Sequence, residues 1–209
     1  KPKLLNLSKS SDTQTLVQAL KPNSKTIDVG DAGTSMRFIT AYLSQQEGSY
    51  ILTGSDRMKE RPIGHLVEAL NSIGADINYL EKEGFPPLAI NGKALEGGKV
   101  DIFTSVSSQF VSALLLIAPT LKKGLSLSLK GEVLSKPYIK MTLDMMRYFG
   151  IQSSWTNNTI EVEPQNYVSK DLKVESDWSA LAFILQAMSI AKSAQVSISG
   201  LSKDSWQGD

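Results

Sequence analysis

A strand, a loop of small residues and an apolar helix recur roughly three times along this chain, and such self-similarity marks one supersecondary unit copied. The loops are Asp31-Ala32-Gly33-Thr34-Ser35, Ser105-Val106-Ser107-Ser108-Gln109 and Glu175-Ser176-Asp177-Trp178-Ser179. Each helix gives way to an alternating strand that ends in Gly: Tyr50 to Gly54, Leu125 to Gly131 and Gln195 to Gly200. Three equivalent loops have the means to converge on one ligand. The stretches Val111 to Ala118 and Ala180 to Ile190 are apolar nearly all round, which predicts helices buried on every side. Helices inside and sheets outside follow from that pattern.

A second, amphipathic helix is expected after each terminal Gly. Ile63, Leu66, Val67, Leu70 and Ile73 share one face between Arg61 and Gly74. Ile139, Thr142, Leu143, Met146 and Phe149 repeat that spacing between Lys136 and Gly150. Ser11 to Leu20 carries the same pattern near the N-terminus, with Ser11 or Asp12 as N-cap. Two short strands then follow: Asp76 to Leu80 with Leu88 to Asn91, and Ser153 to Trp155 with Thr159 to Glu163, the latter joined by an Asn157-Asn158 turn. The third unit is broken. Its inner helix and strand lie near the C-terminus and its outer helix near the N-terminus, so the chain is expected to be one domain over 1–209, permuted or cut from a longer protein.

Composition removes several functions. Twenty-two basic residues nearly cancel twenty-one acidic ones, leaving a net charge of +1, so no global field for nucleic acid or an anionic membrane is indicated. With no cysteine and one histidine, His65, a thiol nucleophile, a Cys-ligated zinc site and a Ser-His-Asp triad find no support. No metal and no cofactor are expected. The longest apolar stretches fall far short of the ~20 residues a membrane span needs. Without disulfides or a signal-peptide core, a cytoplasmic location is expected.

Four segments carry candidate chemistry. Asp31 to Arg37 sets small residues before a helix, which serves either as a plain N-cap with Gly in a turn or as an anion cradle. Ser107-Ser108-Gln109-Phe110 offers two hydroxyls and an amide at the equivalent place, again as caps or as ligands for a phosphate or sugar hydroxyls. Asp56 to Pro62 crowds Arg57, Lys59 and Arg61 into a loop entering a helix. Cations at that end oppose the helix dipole, so the cluster reads either as solvated charge or as a fork for a carboxylate or phosphate. Ser135-Lys136-Pro137-Tyr138 opens the next outer helix with a hydroxyl and a phenol, fit for a polyol or for capping and packing.

Together these strings resemble the 5-enolpyruvylshikimate-3-phosphate synthase family. The resemblance rests on Asp31-Ala-Gly-Thr-Ser-Met-Arg37, Leu52-Thr-Gly-Ser-Asp-Arg-Met-Lys-Glu-Arg-Pro-Ile-Gly-His-Leu66, Ser107-Ser-Gln-Phe110 and Ser135-Lys-Pro-Tyr138, in that order. It implies an α/β fold, an inside-out, barrel-like domain of three βαβαββ units with buried helices and outer sheets. It also implies that this is the first of two globular domains, the missing second one being its partner. The implied reaction transfers the enolpyruvyl group of phosphoenolpyruvate to the 5-hydroxyl of shikimate-3-phosphate, releasing phosphate. The family pattern sets shikimate-3-phosphate on Ser107, Ser108, Gln109, Ser135 and Tyr138, and phosphoenolpyruvate on Gly33, Arg57 and Gln109. Thr34, Arg37 and Arg61 would support those loops. No catalytic residue is assigned within the chain, which on its own is expected to be inactive and monomeric. Asp31 departs from the Asn of many members, and Phe38 from a Pro. The alternatives are a domain like that of the enolpyruvyl transferase acting on a UDP-amino sugar, and a non-catalytic binding module of the same fold.

Overall fold

The computed structural model describes residues 2–21, 24–103, 107–133 and 135–207. The expected loop residues Ser105 and Val106, and the terminal Gly208 and Asp209, lie outside them. Two copies of the unit are complete. The first runs β2 (Thr26–Asp28), α2 (Gly33–Ser44), β3 (Gly48–Thr53), α3 (Asp56–Lys59), α4 (Gly64–Ser72), β4 (Ile77–Tyr79) and β5 (Leu88–Gly92). The second runs β6 (Gly98–Phe103), α5 (Ser108–Ile117), β7 (Leu125–Lys130), α6 (Lys136–Tyr148), β8 (Ser154–Thr156) and β9 (Thr159–Val162). Their sheets have the same topology, β2-β3-β5-β4 and β6-β7-β9-β8, with the first pair parallel and the others antiparallel. Both sheets stay open, so the structure is an inside-out α/β fold without a closed barrel among the described residues.

The inner helices are buried as their composition demands. Helix α5 buries Phe110, Val111, Ala113, Leu114, Leu115 and Ile117, and α2 buries Met36, Ile39, Ala41 and Leu43. They pack on each other, with α1 (Ser11–Ala19) and α4 against α2 and with α6 against α5. Polar side chains in this core bond to helix backbone or to each other. Thr40 Oγ1 donates to Met36 O (2.7 Å), Ser44 Oγ donates to Ala41 O (2.7 Å), and the Ser112 and Thr142 hydroxyls share a 2.8 Å hydrogen bond across the α5–α6 contact. The sheets cover the helices with one face: Leu125, Leu127 and Leu129 of β7 point inward while the residues between them are less buried.

The third copy departs from expectation. Strand β10 (Leu172–Lys173) pairs in parallel with β1 (Leu4–Leu5), while an alternating strand was expected over Gln195 to Gly200. No strand forms over those C-terminal residues. Helix α7 (Trp178–Ile190) forms where an apolar helix was expected but buries no residue; Phe183 is 74% exposed and Ile190 84%. Periodicity reports that a helix needs cover; it does not supply the neighbour. Among the described residues the helices packed on α2 and α5 are α1, α4 and α6. At α1 the N-cap is Ser10, one residue before the expected pair, its Oγ accepting from Thr13 N at 3.5 Å.

This contrast is measurable. Leu114→Ala, deep in α5, should lower the unfolding free energy by about 2–5 kcal/mol in urea titrations, whereas Leu185→Ala in α7 should stay within about 0.5 kcal/mol of wild type. Equal losses at the two positions would contradict the exposed placement of α7.

Candidate anion-binding site

Parallel pairing decides where the loops meet. Strands β2 and β3 run side by side, Thr26 opposite Ile51 and Asp28 opposite Thr53, so the loops leading to α2 and α3 leave the same edge. The β6–β7 pair does the same for α5 and α6, and β1–β10 for α1 and α7. Two contacts stitch these edges together. Gln109 Nε2 donates to Thr34 Oγ1 (3.0 Å), joining the start of α5 to the start of α2. Ser35 Oγ donates to Asp12 O (3.4 Å), joining α2 to the start of α1. The N-terminal ends of α1, α2 and α5 thus lie together, each presenting the positive end of its dipole.

Around Gly33 the charge is strongly positive. The Arg61 guanidinium lies directly over this residue: a Cβ at Gly33 would stand 2.6 Å from Arg61 Cζ. Only glycine admits that approach. Arg57, Arg61 and Asp31 line one cavity of about 390 Å³. Gly54 allows the end of β3 to press on the neighbouring loop, since a Cβ there would stand 2.6 Å from Gly30 O. That approach lets Ser55 N donate to Gly30 O (3.1 Å) and brings the loops after β2 and β3 into register.

Arg37 is buried next to the Gly33 loop, 5% exposed. Its Nη1 donates to Gly33 O (2.9 Å), its Nη2 to Pro62 O (3.4 Å), and its Cζ stands 5.9 Å from the centroid of the Phe110 ring. One side chain therefore ties the α2 loop, the entry to α4 and the first turn of α5. Burial, and then the charge of Arg61, pull its pKa down to about 10, so it remains a cation at neutral pH. Its Nε has no hydrogen-bond partner among the described residues.

Gln109, through its bond to Thr34, ties the hydroxyl-bearing start of α5 to the loop that carries Gly33. Ser107 is the extended N-cap of α5, its Oγ accepting from Gln109 N (3.2 Å), and Ser108 opens the helix. Ser135 directly precedes α6 and its hydroxyl caps nothing; Tyr138, one turn on, is 53% exposed. Among the described residues neither side chain bonds to the Gly33 cavity. They are linked to α5 further down, where Thr142 donates to Tyr138 O (3.0 Å) and meets Ser112.

Two features went unread in the sequence. Asp56 to Pro62 is not one loop: Asp56–Lys59 is helical, Ser55 caps it by accepting from Met58 N (3.2 Å), and α4 begins only at Gly64. Ser followed by Asp in the first turn was the available signal. The second is the bond from Ser55 Oγ to Asp31 Oδ1 between the two loops, which no local pattern announces. In the third loop, Asp177 caps α7 by accepting from Ser179 N (2.9 Å), and Gln207 Oε1 accepts from Trp178 N (2.7 Å). The chain itself fills that helix N-terminus.

Residues 6–209 match the family model for EPSP synthase (3-phosphoshikimate 1-carboxyvinyltransferase). A 3-phosphoshikimate 1-carboxyvinyltransferase of Bacteroides fragilis is 47% identical over 205 residues, covering 98% of this chain and 50% of that protein. One of Aliivibrio fischeri is 45% identical over 198 residues, covering 93% of this chain and 46% of that protein. The fold is similar to that of EPSP synthase from Acinetobacter baumannii, with a TM-score of 0.76 at 23% identity over 92% of this chain and 49% of that one. The chain spans about half the length of the curated relatives it matches. By sequence over nearly its whole length the chain belongs to the EPSP synthase family.

Proposed function

We propose that this chain is the substrate-binding half of an enolpyruvyl transferase, holding shikimate-3-phosphate and phosphoenolpyruvate side by side. The proposal is supported by the Gln109–Thr34 hydrogen bond, which ties the start of α5, where Ser107 and Ser108 stand, to the α2 loop that carries Gly33 under Arg61. Ser107, Ser108, Gln109 and Ser135 would hold the phosphate and ring hydroxyls of shikimate-3-phosphate, with Tyr138 against the ring. Gly33 and Arg57 would hold phosphoenolpyruvate, with Gln109 reaching both. Thr34, Arg37 and Arg61 position these groups. The protein would act as a cytoplasmic monomer.

Both substrates are anions, and guanidinium forks with helix N-termini are the means proteins use to bind them. In the proposed reaction the 5-hydroxyl gives up its proton to a base, its oxygen bonds to C2 of phosphoenolpyruvate, and C3 takes up a proton. The C2–O bond to phosphate then breaks, and C3 returns a proton to restore the double bond. This chain's groups orient the two reactants, so that a bimolecular step becomes local. Proton transfer would fall to the remainder of the protein, which would also exclude water by closing over the site.

Two outcomes check this. Titrating the chain with millimolar shikimate-3-phosphate should shift the amide resonances of Ser107 and Gln109, and unchanged spectra there would count against the assignment. Incubated with both substrates, the chain alone should release no phosphate above background. Sustained release would show that the proton-transfer groups are already present.

A further inference from the structure

The hydroxyl of Ser55 makes two bonds at once: it donates to Asp31 Oδ1 and accepts from Met58 N at the start of α3 (3.2 Å). Asp31 shares its cavity with Arg57 and Arg61. A carboxylate and two guanidiniums around one opening attract each other, yet among the described residues Asp31 pairs with neither arginine within 4.0 Å, and the ion pairs that do form lie elsewhere. Arg61 instead lies over Gly33, and the Asp31 oxygen is turned to the serine. Among the described residues the one carboxylate lining the cavity is thus tied back by a neutral donor, and neither guanidinium forms an ion pair within 4.0 Å.

We propose that Ser55 is a positioning residue that holds the Asp31 carboxylate off Arg57 and Arg61, and that Asp31, once released, competes with an incoming anion for them. The device rests on the anion-binding reading of the cavity and adds a built-in competitor to it. Ser55 has a second role that must be separated from the first, because loss of the α3 cap would also disturb Arg57. Two substitutions separate them. Ser55→Ala removes cap and restraint together, whereas Ser55→Gly removes the restraint and leaves a residue nearly as good at an N-cap. Asp31→Asn removes the competitor's charge and keeps the bond to the serine.

The test is an NMR titration with inorganic phosphate, read at the Gly33 amide and at the Arg57 and Arg61 Nε–H resonances. Circular dichroism confirms that each variant is folded. Ser55→Ala and Ser55→Gly should both weaken binding by about fivefold, the scale of one exposed ion pair. Asp31→Asn alone should strengthen it by about twofold, and adding Asp31→Asn to either serine variant should bring binding to within about twofold of Asp31→Asn itself. Serine variants that bind as wild type would overturn the proposal, as would a loss that Asp31→Asn fails to restore, since the cap alone would then account for it. Wild type that shows no response to phosphate would overturn the anion-binding reading as well.

Discussion

The pairing of α2 with α5 governs the rest of the structure. Both helices are buried on nearly every side, and a buried helix can leave only its ends open. The hydroxyls inside the core bond to helix backbone or to each other, so they place no demand on a ligand. The N-terminal ends of the two helices are adjacent, as the bond from Gln109 to Thr34 shows, and within each sheet the parallel pair brings the loop to the inner helix and the loop to the outer helix off one edge. Donors and small residues collect there as a consequence of topology, before any side chain is specialised.

Charge completes the site. A buried guanidinium is costly unless its donors are used, and Arg37 spends two nitrogens on backbone carbonyls that fix the loops above it. Arg61 covers Gly33, and Arg57 lines the opening. Three positive side chains around one helix N-terminus repel each other, with only Asp31 among the cavity-lining residues in opposition. An anionic ligand would relieve that repulsion, and this gives the cluster a physical reason to be where the helix dipole alone disfavours cations.

Much of this was legible in the residues. The three-fold recurrence, the all-round apolarity of Val111 to Ala118 and the single-face pattern from Ile139 to Met146 located both complete units, because burial imposes a period on sequence. The small residues after Asp31 marked a close approach, though not that Arg61 would be the group approaching. What was not legible depends on partners distant in sequence. Nothing in Ala180 to Ile190 shows that α7 stays exposed among the described residues, or in Gln195 to Gly200 that no strand forms there. The bond between Ser55 and Asp31 spans 24 residues, across the close approach of the two loops that Gly54 permits.

If loops from two different repeats form a single ligand site, Gln109 and Thr34 couple its two halves. A double-mutant cycle with Thr34→Ala and Gln109→Ala, read on binding of shikimate-3-phosphate and of inorganic phosphate, tests it most directly. Removing Thr34 should weaken both ligands, and the two substitutions should couple by about 0.5 kcal/mol or more, so that the second costs much less once the first is made. Strictly additive effects, each confined to one ligand, would mean two independent sites and would contradict the account.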